Sequence, residues 1–273
     1  MITHPNVKLN LGLNVLSKRE DGFHNIETLF IPCFSYHDTL EIVEGSDFSR
    51  TLSGLAGKPC VQAVSPDGKL MITIARNEGV DWDPLKDLTA KAYFLLAEEF
   101  KLPPMKIFLE KTSPVGAGLG GGSADAAFAL RMISDLAELG LDDDALAAYA
   151  SRLGSDCAFF VYNRPMLGSG RGEILEPFPI DLSRFRIDVV VPEGIAVSTA
   201  DAYRGIVPSI PPKPIREVLL QDPSTWREDL VNDFEKTVFL RHPELASLKQ
   251  SLYDNGALYA SMSGSGSALF SLS

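Results

Sequence analysis

The glycine loop, residues 114–124, constrains the fold most, because it separates a predicted strand from a predicted helix. Residues 105–110 before it are mostly apolar, and residues 123–139 after it are rich in Ala and Leu up to Gly140. Backbone N–H groups at a helix start are unpaired and bind anions, and glycine lets the backbone approach phosphate oxygens closely. The loop therefore predicts a phosphate site built from Pro114, Val115, Gly116, Ala117, Gly118, Leu119, Gly120, Gly121, Gly122, Ser123 and Ala124.

Two other kinds of structure could contain such a loop. A flexible linker would not lie between an apolar strand and a strong helix. Gly116, Gly118 and Gly121 match the G-x-G-x-x-G fingerprint of dinucleotide-binding proteins, which should close the first strand of a βαβ unit. Here a long stretch of mostly strand patterning precedes it, and the acidic residues at 142–144 begin a predicted helix. A nicotinamide oxidoreductase is therefore the weaker interpretation, and no Gly-Lys-Ser/Thr of a Walker loop is present.

Charge and composition exclude several classes of partner. The formal net charge is −11 over 273 residues, so the chain has no general attraction to nucleic acid or anionic membranes. No apolar run reaches the roughly 20 residues of a membrane-spanning helix, and the N-terminus lacks a signal-peptide pattern. Cys33, Cys60 and Cys157 are widely spaced, which favours buried reduced thiols. We expect a cytoplasmic protein that binds neither nucleic acid nor membrane.

Strict alternation of apolar and polar residues predicts a strand over 7–15, and further strands are expected over 23–35 and 38–43, with hairpins over 46–80. Helical spacing predicts a helix over 88–100, and a further helix is expected over 142–153. Strands and helices mix without regular alternation, which is typical of an α+β fold. Composition shifts near residue 165, and the length suits one large domain or two modest ones. In the second we expect a strand over 187–191, a loop over 206–214, mostly helix over 230–251, and strands over 257–261 and 268–270.

Three motifs in order resemble those of the GHMP kinases. The first lies at residues 8–15 (Lys-Leu-Asn-Leu-x-Leu-Asn-Val), the second is the glycine loop, and the third lies at 263–267 (Ser-Gly-Ser-Gly-Ser). The resemblance implies the two-domain GHMP kinase fold. Its N-terminal ATP-binding domain, of ribosomal-protein-S5-domain-2-like type, would cover residues 1–165, and its C-terminal ferredoxin-like domain would cover residues 166–273. It also implies that the third motif lies against the glycine loop. Ala117 and Ala124 replace a frequent glycine and serine, but backbone donors do not depend on the side chain.

Further segments are similar to one branch of that family. They are Lys-Arg-x-Asp-Gly-Phe-His at 18–24, Glu-Thr-Leu-Phe at 27–30, Gly-Ser-Asp-Cys-Ala-Phe-Phe at 154–160, Gly-Arg-Gly-Glu at 170–173 and Asn-Asp-Phe-Glu at 232–235. The branch phosphorylates the 2-hydroxyl of a cytidine-diphosphate-linked methylerythritol with ATP, in the non-mevalonate isoprenoid pathway. The resemblance implies the same activity here, with that small molecule as the partner.

The resemblance assigns catalysis to Lys8 and Asp156. Taken alone, a strand lysine is more often solvated, and an Asp after a Gly-Ser turn is more often a helix cap or a turn residue. Asn10, Gly12 and Asn14 share the face of Lys8, however, and Asn and Gly are poor strand residues for mere solvation. In the family interpretation Asp156 accepts or orients the substrate proton, while Lys8 lies next to it and counters phosphoryl charge.

The resemblance assigns the remaining site residues to the alcohol substrate. It implies that Phe23 provides a stacking face for cytosine and that His24 hydrogen-bonds the base, whereas taken alone the pair fits a strand start with one core aromatic. It also implies that Tyr203 is the opposite stacking ring, with a helix-packing aromatic as an open alternative. Substrate contacts are also implied for Asn10, Thr199, Gly264, Ser265 and Gly266.

Cofactors and assembly follow from the same family. We expect ATP and Mg²⁺, with no metal ligand identified, and a monomer or a weak homodimer. Family members usually continue beyond the third motif, so we expect the C-terminal half to be shortened at Ser273. Two alternatives stay open: another GHMP kinase, acting on homoserine or mevalonate, or a non-catalytic nucleotide-binding regulator of the same fold.

Overall fold

The structure is a computed structural model that describes residues 1–47, 49–50 and 57–273. The chain forms two compact units. The first unit contains residues 1–7, 36–114 and 121–163, and the second contains residues 8–35, 115–120 and 164–273. Residues 48 and 51–56, part of the predicted hairpin region, lie outside the described residues. The domain boundary predicted at residue 165 stays a prediction.

Strands and helices alternate irregularly along the chain, as expected for the α+β class. The strands are β1 Ile2–Thr3, β2 Asn6–Lys18, β3 His24–His37, β4 Thr39–Glu44, β5 Cys60–Val64, β6 Leu70–Arg76, β7 Met105–Lys111, β8 Met166–Ser169, β9 Ile174–Pro177, β10 Ile187–Val190, β11 Tyr259–Met262 and β12 Leu269–Leu272. The α-helices are α1 Leu88–Ala97, α2 Gly121–Leu136, α3 Asp143–Leu153, α4 Cys157–Tyr162, α5 Thr199–Tyr203, α6 Ile215–Leu219, α7 Trp226–Asp229, α8 Glu235–Arg241 and α9 Pro243–Asp254.

The first unit contains a five-stranded sheet in the order β1-β4-β7-β6-β5. The β6–β7 pair is parallel, and the other pairs are antiparallel. Helix α1 packs on α2, and α2 also contacts β4. Asp142 caps α3 through a 2.8 Å bond from the Ala145 N–H. This arrangement places the end of β7 and the start of α2 on either side of the glycine loop.

The second unit contains two sheets, β2-β3-β8-β9 and the antiparallel β10-β12-β11. Its core joins both sheets to α5, α8 and α9 through the buried residues Leu13, Val15, Ile26, Val197, Ala202, Phe234, Val238, Leu245, Met262 and Leu269. Strand β2 is buried on both faces from Asn6 to Val15, so its polar face is not solvated.

Most predicted elements are confirmed, and the differences have physical reasons. Helix α2 begins at Gly121 rather than Ser123, since two glycines continue the helical backbone into the loop. Helix α4 was not predicted, because its apolar Cys-Ala-Phe-Phe-Val-Tyr sequence cannot be assigned by periodicity over so few residues. The short strands β8 and β9 were missed in the same way.

The cysteine prediction is wrong at one position. Cys33 and Cys157 are buried free thiols, and burial raises the pKa of Cys157 to about 12. Cys60 is exposed, because it begins β5, the edge strand of the five-stranded sheet. Among the described residues, none of the helices has the length and apolar character needed to cross a membrane.

Candidate active site

The glycine loop joins β7 to the first turn of α2. Gly116, Gly118 and Gly120 have φ angles of +73°, +77° and +76°, which glycine adopts without the strain of a side chain. Helix α2 starts directly afterwards, and its first N–H groups have no partners within the helix. Left-handed glycines followed by a helix N-terminus provide backbone donors for a phosphate group.

Gly118 is where the third motif meets the glycine loop. A Cβ atom at Gly118 would lie 2.1 Å from the carbonyl oxygen of Ser263. The Ser263 hydroxyl donates to the Gly118 carbonyl at 3.1 Å, and the Ala268 N–H donates to the Ala117 carbonyl at 3.1 Å. Residues 263–267 therefore lie against the glycine loop, as the resemblance implied.

We expect Gly118→Ala to lower the free energy of unfolding by more than about 1 kcal/mol, because alanine is strained at positive φ and its methyl group would overlap the Ser263 carbonyl. Gly122→Ala is the matched control. Nothing lies within 4 Å of a Cβ at Gly122, and alanine is preferred inside a helix. Thermal unfolding of both variants tests this expectation, and an equal Tm for the two would contradict it.

Lys8 is buried, with 3% of its surface exposed, and oxygen atoms hold its ammonium group. The Nζ atom donates to Asn10 Oδ1 at 2.5 Å and to the Gly118 carbonyl at 3.0 Å. It also lies 5.6 Å from the ring centroid of Phe30. The backbone N–H of Lys8 donates to the backbone carbonyl of Leu119 at 2.9 Å. The lysine therefore brings a buried positive charge to the glycine loop rather than to a solvated face.

The nitrogen end of the Asn10 side-chain amide is also fixed by hydrogen bonds. Its Nδ2 atom donates to the Thr28 hydroxyl at 3.0 Å, and that hydroxyl donates to the Gly12 carbonyl at 2.5 Å. Thr28 is fully buried on β3, so this chain of bonds is shielded from water. Strand β3 thereby orients the side-chain oxygen Oδ1 of Asn10 toward Lys8.

Asp156 immediately precedes α4 and is partly exposed. Its side chain makes no capping bond to α4, a helix that lies wholly within the described residues. The simple interpretation as a helix cap is therefore not supported. Asp156 belongs to the first unit and Lys8 to the second, and their predicted pairing stays a prediction.

The predicted base-binding residues lie near one another at the start of β3 and on α5. The rings of His24 and Tyr203 stack with centroids 4.5 Å apart and an interplanar angle of 14°. Tyr203 also packs edge-on against Phe234, at 4.7 Å, so it contributes to the core as well. Phe23 is 52% exposed, and the Arg171 guanidinium lies 4.9 Å from its ring. Exposed aromatic faces beside a cation can stack on a nucleobase.

The protonation of His24 should affect the pH dependence of kcat/KM. Burial, with a smaller contribution from the Lys18 charge, lowers the pKa of His24 below its usual value, which favours the neutral imidazole. We expect kcat/KM to fall as the pH drops through that lowered pKa, because a protonated ring carries a desolvated charge and loses its acceptor. The profile of kcat/KM against pH measures this effect. His24→Gln should flatten the acid limb, and an unchanged limb would contradict the assignment.

The remaining substrate residues meet around the third motif. The Thr199 hydroxyl, at the start of α5, lies 3.2 Å from the Ser265 hydroxyl. A Cβ atom at Gly264 would lie 3.2 Å from Lys8 Nζ and 3.4 Å from Asn10 Oδ1. The structure thus brings Lys8, Asn10, Thr199, Gly264 and Ser265 into one part of the second unit.

A dedicated metal cage is not evident in the described part of the chain, where no three His, Cys, Asp or Glu side chains cluster. Mg²⁺ usually keeps several waters and is held by one or two protein oxygens plus substrate phosphates. The Ser123 side chain, in the first turn of α2, is within hydrogen-bonding reach of the Cys157 thiol. Asp125, in the same helix, is already paired with the Lys111 ammonium, which makes it a poor cation ligand.

Sequence reasoning missed a buried ionic network beside the glycine loop. Lys111 at the end of β7 pairs with Asp38 and with Asp125, at 2.5 Å from Asp125 Oδ2. Asp38 also accepts the N–H groups of Thr112 and Ser113, both at 2.7 Å. Burial raises the pKa of Asp125 well above its usual range. In the sequence, the network is indicated only by the change from apolar to charged residues at the end of β7. The carboxylate partners of Lys111 come from other parts of the chain, so local patterning does not identify them.

Comparisons with known proteins identify the family of the chain. The family model for the GHMP kinases N terminal domain matches residues 87–164, and that for the GHMP kinases C terminal domain matches residues 215–273. A 4-diphosphocytidyl-2-C-methyl-D-erythritol kinase of Parabacteroides distasonis is 43% identical over 272 residues, covering 100% of this chain and 91% of that protein. The protein of that name from Porphyromonas gingivalis is 44% identical over 275 residues, covering 100% and 92%.

Solved structures lead to the same assignment. A crystal structure of 4-(cytidine 5'-diphospho)-2C-methyl-D-erythritol kinase superimposes with a TM-score of 0.74 at 31% identity, covering 100% of this chain and 90% of that one. A homoserine kinase from Cytophaga hutchinsonii, at 18% identity, TM-score 0.66 and coverage of 98% and 84%, shares the fold. With both family domains matched and full-length relatives above 40% identity, the chain belongs to the GHMP kinase family, among the 4-diphosphocytidyl-2-C-methyl-D-erythritol kinases.

Proposed function

We propose that the protein transfers the γ-phosphoryl group of ATP to the 2-hydroxyl of 4-(cytidine 5'-diphospho)-2-C-methyl-D-erythritol. One observation carries the proposal: the buried Lys8 ammonium is held by Asn10 against the Gly118 carbonyl of the glycine loop. A buried cation beside a phosphate-binding loop is suited to the charge that develops during phosphoryl transfer. Full-length relatives at 43% and 42% identity carry the name of this kinase.

The chemistry is a direct displacement. Backbone N–H groups of the glycine loop and of the α2 N-terminus bind the phosphates of ATP. The 2-hydroxyl oxygen attacks the γ-phosphorus, the bond to the β,γ-bridging oxygen breaks, and ADP leaves with that electron pair. The hydroxyl proton passes to Asp156, and Lys8 counters the charge on the transferring group. Bound Mg²⁺ would neutralise charge between the β- and γ-phosphates.

Substrate choice depends on the aromatic residues around β3 and α5. In this proposal Phe23 stacks on cytosine and His24 hydrogen-bonds it. The His24 and Tyr203 rings are already in contact, so the base would lie outside this stacked pair rather than between the two rings. The methylerythritol would contact Asn10, Thr199, Gly264, Ser265 and Gly266.

Steady-state assays with ATP and Mg²⁺ test the proposal. The purified protein is offered the cytidylyl substrate, homoserine and mevalonate separately. We expect ADP release only with the cytidylyl substrate. Turnover of homoserine or mevalonate instead would overturn the substrate assignment, and ATP binding without any phosphorylation would favour a non-catalytic regulator.

A further inference from the structure

The Asn-Asp-Phe-Glu motif at 232–235 has no role in the mechanism above, yet its first residue is among the most completely bonded side chains of the second unit. Asn232 is 1% exposed and follows α7. Its Nδ2 atom donates to the Met262 carbonyl at 2.7 Å and to the Gly264 carbonyl at 2.9 Å. Its Oδ1 atom accepts from the Phe234 N–H at 3.0 Å. Both amide hydrogens are therefore used to hold the third motif.

The segment that carries Asn232 is itself fixed to β2, the strand of Lys8. The Leu13 N–H donates to the Val231 carbonyl at 2.8 Å, and the Asp233 N–H donates to the Leu13 carbonyl at 2.8 Å. The Asp233 carboxylate accepts the Val15 N–H at 2.8 Å. Asn232 is thus placed by the same strand whose lysine it influences.

The peptide held by Asn232 closes over the Lys8 ammonium. At Gly264 an added Cβ would be 3.0 Å from the Gly118 carbonyl oxygen and 3.2 Å from Lys8 Nζ. The Gly266 N–H donates to the Ser263 carbonyl at 2.9 Å, which closes the loop. Displacement of Gly264 would therefore open space directly above the lysine and its carbonyl partner.

We propose that Asn232 is a positioning residue for phosphoryl transfer: its carboxamide holds the Met262 and Gly264 carbonyls so that the third motif closes over Lys8 and fixes the ammonium at the glycine loop. The link to catalysis rests on the proposed function, whereas the closure over Lys8 does not. A carboxamide is required because only a side chain with two N–H donors can bind two carbonyls while also accepting a backbone N–H.

Two variants test the positioning role. Asn232→Asp keeps the shape but places oxygen against two carbonyl oxygens, and Asn232→Ala removes the donors without adding charge. We expect kcat to fall by about 100-fold in Asn232→Ala, with smaller changes in the KM values, since a misplaced group costs turnover more than binding. Leu245→Ala, in the core of the same unit, is the control for general destabilisation and should largely keep kcat.

Native-state labelling of lysines with an amine-reactive ester, read by mass spectrometry, tests the closure of the third motif over Lys8 separately from its link to catalysis. We expect Lys8 labelling to speed up severalfold in Asn232→Ala but not in Leu245→Ala, with exposed Lys101 unchanged in both. Unchanged Lys8 labelling, or an equal loss of kcat in Leu245→Ala, would overturn the positioning role. Faster Lys8 labelling in a protein whose wild type does not phosphorylate the cytidylyl substrate would support the closure and reject the proposed function.

Discussion

Asp156→Asn is expected to lower kcat by roughly a hundredfold to ten-thousandfold while ATP affinity changes little. The substitution keeps the size of the side chain but removes the negative charge and the proton acceptor. Asp156 does not cap α4, a helix within the described residues, so the change should not weaken that helix. Steady-state kinetics gives kcat, and calorimetry gives the dissociation constant of ATP.

The matched control for this prediction is Asp143→Asn. Asp143 belongs to the same unit, and its exposed carboxylate pairs with Arg131 at 2.7 Å. Surface ion pairs of this kind contribute little to the free energy of unfolding, so Asp143→Asn should leave the fold and the activity unchanged. Near-normal turnover in Asp156→Asn would remove Asp156 from catalysis, and a parallel loss of ATP affinity would make it a binding residue instead.

Lys111→Met should lower the free energy of unfolding by about 3–5 kcal/mol at neutral pH, because it leaves two buried carboxylates without their cation. The side chains of Asp38 and Asp125 are each 1% exposed. Within the described residues, the buried oxygen Asp125 Oδ1 has no hydrogen-bond partner, so only Lys111 compensates that carboxylate. Chemical denaturation of the wild type and the variant measures the difference.

The same variant has a defined pH dependence. Burial raises the pKa of Asp125 in the folded state even beside Lys111, and loss of the ammonium raises it further. An acid with a raised folded-state pKa favours the folded state below its unfolded pKa, and that contribution is lost as the pH rises through the folded value. The loss in free energy of unfolding caused by Lys111→Met should therefore become smaller toward acid pH.

Lys213→Met, which breaks the exposed pair with Asp229, is the control and should change stability little at any pH. Destabilisation by Lys111→Met no greater than that by this control would contradict the compensating role of Lys111. A stability deficit that grew as the pH fell would contradict it as well.

The glycine loop shows what the sequence can predict and where it stops. A glycine run between a strand and a helix is a local signal, so the phosphate site could be predicted without tertiary information. The burial of Lys8 was indicated by its Asn and Gly neighbours, which are unsuited to a solvated strand face. The partners of Lys111 could not be predicted, since Asp38 lies 73 residues away in sequence. The substrate assignment depended on resemblance, because stacking rings alone do not identify a base.

The most direct test of the central claim is the proton-coupled ³¹P NMR spectrum of the product made from ATP and the cytidylyl substrate. Carbon 2 of the methylerythritol carries a methyl group and no hydrogen. A phosphate on the 2-hydroxyl should therefore give a monoester signal without three-bond coupling to a proton. We predict that uncoupled monoester signal, together with release of ADP. A monoester signal split by proton coupling, or no new monoester at all, would contradict the proposed reaction.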